Sequence, residues 1–124
     1  MQYAANAYAR VSQAALLPRE AEAAVLRKAA GRLQALGGDL ETGPALNEAL
    51  TFNQRVWTIL ASAATEPGSP LPDDIRIGMT QLSAFVFRTI VDAMIEPTPQ
   101  KIESLVTLNN HLAAGLQGDP GPGA

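Results

Sequence analysis

The chain has 124 residues, a formal net charge of -3, no cysteine and 47% apolar residues. That length and apolar content suffice for one domain with a real core, and they argue against a disordered chain. The missing cysteines exclude disulfides and thiolate metal sites, no basic stretch leads into a long apolar run, and so neither a secretory signal nor membrane insertion is expected and the cytoplasm is the default compartment.

Charge is uneven along the chain: residues 1–62 hold six basic and five acidic groups (+1), and residues 63–124 hold three and seven (-4). Clustered Lys and Arg are what a phosphate backbone attracts, and their scarcity disfavours direct nucleic-acid binding.

Proline and glycine punctuate the sequence at Leu17-Pro18, at Gly37-Gly38 through Gly43-Pro44, across Glu66-Pro67-Gly68-Ser69-Pro70, and at Pro97-Thr98-Pro99. Each of these boundaries that carries proline puts one near a first helical turn, where its missing N–H costs nothing. Five segments remain. Residues 2–15 are Ala-rich, with Tyr8, Val11 and Ala15 spaced to share a face, and make a short, weakly apolar helix.

Residues 18–36 carry the stripe Val25, Ala29, Leu33, Leu36, widened by Leu26 and Ala30. Glu20 and Glu22 sit in the first turn, where the helix dipole favours them, and Gly37 is placed to act as a left-handed cap. Arg27, Lys28 and Arg32 read as a solvated face.

In residues 44–64 two apolar rows lie side by side: Leu46, Leu50, Trp57, Leu60, Ala64, and Ala45, Ala49, Phe52, Val56, Ile59, Ala63. Asn53 interrupts the first row, and Trp57 inside it is expected in the core. So broad a face suits a helix at the centre of the bundle, with Glu48, Thr51, Arg55 and Ser62 in the remaining sector.

Residues 73–95 open on Asp73-Asp74 and should bury Ile75, Met79, Leu82, Val86, Ile90 and Ala93. Phe85, Phe87, Val91 and Met94 lie off that row. Phe85 and Phe87 diverge by about 200° on a helix, so one packing surface cannot bury both. The simpler expectation is a helix enclosed on several sides; the alternative is an apolar strip left for a partner.

Residues 99–116, with Thr98 as N-cap, align Ile102, Leu105, Asn109, Leu112 and Leu116. The closing GLQGDPGPGA has the composition of a disordered end. The expected architecture is all-α: a four- to five-helix, mostly antiparallel bundle forming a single domain over residues 1–116, with a disordered tail at 117–124.

Catalytic machinery is not expected. The only histidine, His111, has no second ligand at metal spacing, and no phosphate loop, nucleophile elbow or zinc pattern occurs. The acidic pairs Glu20/Glu22 and Asp73/Asp74 are accounted for by helix starts. No cofactor is implied.

Taken together, MQYAANAYAR, LPREAEAAVLRKAAGRLQAL, LNEALTFNQRVWTIL, LPDDIR and LNNHLAAGLQG, in this order, resemble the FlaF flagellar biosynthesis regulators of alphaproteobacteria. The combination of Asn6-Ala7-Tyr8, Asn53-Gln54-Arg55-Val56-Trp57-Thr58 and Ala113-Ala114-Gly115-Leu116 carries the likeness; Leu17 departs from it, a Ser commonly preceding the Pro-Arg-Glu. The resemblance implies a non-enzymatic role in flagellin production, alongside FlbT regulators of flagellin translation. It implies flagellin as partner, held by a secretion chaperone, with an FlbT-like regulator or flagellin message as the alternative target. The layout is also similar to that of the FliS flagellin chaperones.

The candidate partner-binding residues are Tyr3, Asn6, Tyr8, Phe85 and Phe87. The tyrosines pair apolar rings with a hydroxyl suited to an interface rim, and the short first segment is expected to act as a flap over the phenylalanines that shifts when an amphipathic flagellin segment arrives; the alternative is that Tyr3 and Tyr8 simply complete the bundle.

Overall fold

A computed structural model describes residues 19–38, 40 and 43–117. The expected helix at 2–15 and the tail from Gly118 onward lie outside these residues. Four helices follow one another: α1 (Arg19–Gln34), α2 (Pro44–Thr65), α3 (Asp73–Ile95) and α4 (Pro99–Leu116). The described residues contain no strand.

The local signals act where the sequence puts them. Pro44 and Pro99 occupy first-turn positions of α2 and α4, and the Thr98 side chain accepts a hydrogen bond from the Lys101 backbone N–H at 3.3 Å. Gly37 takes the left-handed conformation, φ +59°, that ends α1 without strain on a side chain. Pro72, by contrast, precedes α3 as its N-cap residue with φ -58°, and the helix proper begins at Asp73. Lys101 closes the turn after α3, its Nζ donating to the Glu96 carbonyl at 2.7 Å, where a cation meets the negative end of the helix dipole.

Residues from the first turns of α1 and α3 and from the last turns of α2 and α4 meet at one end of the molecule, so successive helices run antiparallel. Contact is heaviest between α1 and α4, then between α2 and α3 and between α1 and α2, and slightest between α3 and α4. The bundle is therefore a ring with one weak seam. The core lies inside that ring around Leu26, Leu33, Leu46, Leu50, Trp57, Val86, Ile90 and Leu105, all essentially inaccessible to solvent.

Trp57 is fully buried, as its row requires. The second row of α2 is shallower than expected: Ile59 is 54% exposed and Ala45 is exposed. Ile59 stands between Arg55 and Ser62, at the edge of the polar sector, where none of the other described helices covers it. Instead of lying at the centre, α2 occupies a corner of the ring between α1 and α3.

The expectation of an enclosed α3 fails. Ile75, placed by spacing in the buried row, is 47% exposed, and Ile77, Phe85, Val91 and Ile95 are exposed too. The physical reason is the weak seam. Two neighbours cover an arc of a helix, α4 covers its share of α3 thinly, and the apolar residues beyond that arc are left in water.

Candidate partner-binding surface

Polar groups inside the core fix how rigidly the surface is held. Asn53 and Asn109 are both fully buried. Trp57 Nε1 donates to Asn109 Oδ1 at 2.8 Å, and Asn109 Nδ2 donates to Asn53 Oδ1 at 2.5 Å and, at 3.4 Å, to the Leu26 carbonyl of α1. This network ties α4 to α2 and α1 across the interior. A buried amide without partners costs stability, whereas paired amides specify one register of packing. Asn53, which looked like an interruption of an apolar row, is one of those partners.

The basic residues of α1 do face solvent, but they are not idle. The Arg32 guanidinium lies 4.1 Å from the centroid of the Phe52 ring and Lys28 Nζ lies 5.7 Å from it. Arg27 donates to the Gln117 side chain at 2.5 Å, linking α1 to the residue just after α4. His111 is exposed, and among the described residues no group of three His, Cys, Asp or Glu side chains could hold a metal ion.

Glu22 corrects a second expectation. Glu20 is exposed, as a dipole-stabilising residue can be, but Glu22 is only 5% exposed. Burial pushes its carboxyl above the usual 4.5, and Arg19 pulls the other way. The helix dipole alone does not explain a carboxylate in that place.

The apolar surface gathers on α3. Ile75, Gly78, Met79, Leu82 and Phe85 line an open depression of about 500 Å³ along the helix. Their spacing of three and four keeps them on one face. Met79 and Leu82 are half-buried against the core, while Ile75 and Phe85 stand out of it, Phe85 at 43% exposure. Phe87 is half-buried and packs on the core cluster, so the two phenylalanines are separated as their spacing requires. Tyr3, Asn6 and Tyr8 lie outside the described residues. Phe85, a candidate from the sequence, is exposed, whereas Ile75, Met79 and Leu82 were expected in the core, and only Met79 and Leu82 pack against it, because apolar spacing marks a shared face whether or not a helix covers it.

No helix among the described residues is long and apolar enough to cross a membrane. Fold and surface thus define a small antiparallel four-helix bundle with a polar-bridged core and an apolar strip exposed beside its weakest seam. The family model described as Flagellar protein FlaF matches residues 4–116, and the chain belongs to that family. No curated protein and no solved structure matches it.

Proposed function

We propose that this protein holds a segment of flagellin on the exposed apolar strip of α3, keeping it from premature association and presenting it for export. The observation that supports the reading is the strip itself: Ile75 and Phe85 are exposed, Met79 and Leu82 are open at their edges, and all four share one helix face in a member of a flagellar family. Apolar residues aligned on a surface helix favour an amphipathic helical partner, whose own anchors recur at the same three- and four-residue spacing.

The rigid base matters as much as the strip. Val86 and Ile90 anchor α3 in the core, and the Trp57–Asn109–Asn53 network holds the opposite helices, so little conformational entropy is lost from the binding side. The flagellin segment would order on binding at a cost of a few kcal/mol, which keeps the complex releasable. Tyr3, Asn6 and Tyr8 complete the contact in this reading, and Phe87, packed on the core cluster, helps fix α3 in place. Synthesis and export of flagellin are both served by one act of protein binding, without cofactor or catalysis.

Size-exclusion chromatography of the purified chain mixed with purified monomeric flagellin tests the proposal. Co-elution as a stoichiometric complex is expected, and separate elution at micromolar concentrations of both would refute it.

A further inference from the structure

At the end of the bundle where α1 and α3 begin, a cavity of about 390 Å³ opens between the helices. Leu60 and Ala64 of α2, Met79 of α3 and Leu112 of α4 make its walls, and α1 contributes Arg19 and Glu22. The walls supplied by α2, α3 and α4 carry no ionisable side chain there. Glu22 is more than nine-tenths buried, yet no described side chain donates a hydrogen bond or ion pair to it. A carboxylate in so dry a place, with no described side chain donating to it, is costly, and Arg19 offsets only part of the desolvation.

The cavity is not isolated. Ile75 and Met79 line both it and the depression that runs to Phe85, so apolar ground is continuous from Glu22 along the strip. From Ile75 to Phe85 the helix rise gives roughly 15 Å, close to three turns of a helical occupant.

We infer that the cavity seats one apolar side chain of an amphipathic helical partner segment, and that the Glu22 carboxylate receives a basic side chain from the same face of that segment. This rests on the reading that the α3 strip holds flagellin. Charge decides the partner's character: a neutral helix seated on the cavity would displace the water left at Glu22 and offer no donor in its place, an acidic one would face repulsion, and a Lys or Arg beside the apolar anchors satisfies it with a charge-assisted bond. The strip supplies affinity, and Glu22 sets the register and direction in which the segment lies.

Isothermal titration of purified flagellin into the full chain, Glu22→Gln and Glu22→Asp tests this, with melting temperatures recorded alongside. Glu22→Gln should bind at least about tenfold more weakly, which is 1.4 kcal/mol, while melting no lower than the parent, and Glu22→Asp should keep most of the affinity. Affinity of the parent should fall on acidification as the carboxyl takes up its proton, and that of Glu22→Gln should not. Equal affinity of parent and Glu22→Gln overturns the role of Glu22 and leaves the strip reading standing; a parent that binds no flagellin overturns both. Two further outcomes also overturn the inference. Arg10 is the one basic residue among residues 1–18, and non-additive melting shifts for Arg10→Gln and Glu22→Gln would give the cavity to the chain's own N-terminal segment. A dimer in sedimentation that Glu22→Gln dissociates would give it to a second copy.

Discussion

The indole N–H of Trp57 and the side-chain carbonyl of Asn109 meet at 2.8 Å between α2 and α4, helices that otherwise face each other across the core. Asn109 then passes its own N–H to Asn53, so one amide serves two partners on α2. Removing it leaves two buried polar groups unsatisfied. Asn109→Leu should therefore cost more than a single hydrogen bond, on the order of 2 to 6 kcal/mol from one to three per orphaned group. Asn53→Leu combined with Asn109→Leu should cost less than the sum of the singles, because the orphan at position 53 disappears with its partner. Chemical denaturation of the three variants measures the coupling; strict additivity would show that the amides do not act as a unit.

Trp57 separates ring from donor. Trp57→Phe should lose the hydrogen bond and little packing, whereas Trp57→Ala should cost about 3 to 5 kcal/mol, a large share of the 5 to 15 that typically holds a domain together. Calorimetry should show a lowered but cooperative transition for the first and partial unfolding for the second. Unchanged melting of Trp57→Ala would contradict its place in the core.

The helix boundaries were legible from short-range chemistry, since Pro44, Asp73, Pro99, Thr98 and Gly37 act on their own turns and need no tertiary context. Core membership was legible where a row had neighbours on both sides, as for Leu46, Leu50 and Trp57. It failed at Ile59 and Ile75, because spacing tells which residues share a face and not whether another helix arrives to cover it. Asn53 and Glu22 were misjudged for a related reason: the one was read as a break in an apolar row and the other as a dipole-favoured first-turn residue, and only long-range neighbours reveal either as buried. Phe85 was found by a geometric conflict with Phe87, which is the kind of signal that survives without a structure.

Thr98 offers a local check on the turn between α3 and α4. Its side chain caps the Lys101 N–H, and replacing an N-cap Thr by Ala costs about 0.5 to 2 kcal/mol. Thr98→Ala should lower the melting temperature accordingly without altering flagellin binding at the distant end of the bundle. Thermal melts followed by circular dichroism, with a binding titration on the same sample, would expose any wider role.

Glu22 makes stability depend on pH in a definite direction. Its folded carboxyl is raised above 4.5, so the folded state binds the proton more tightly than the unfolded chain does. Its contribution is then fully present below the unfolded value and lost as pH rises through the folded one. Compared with Glu22→Gln, the parent should gain stability on acidification from neutrality towards 4.5, and the variant should be the more stable of the two at neutral pH. Paired melts across that range measure it, and a difference that is constant with pH would mean the carboxylate is well solvated in the free protein.

The account turns on the α3 strip, and Phe85 is its most exposed aromatic. Phe85→Asp places a charge on the strip while leaving Val86 and Ile90 in the core. Titration of purified flagellin into the parent and into Phe85→Asp, with melting curves of both, is the direct test. The account predicts saturable binding by the parent, a loss of at least about tenfold in affinity for the variant, and little change in melting temperature. Undiminished binding by a folded Phe85→Asp protein would contradict it.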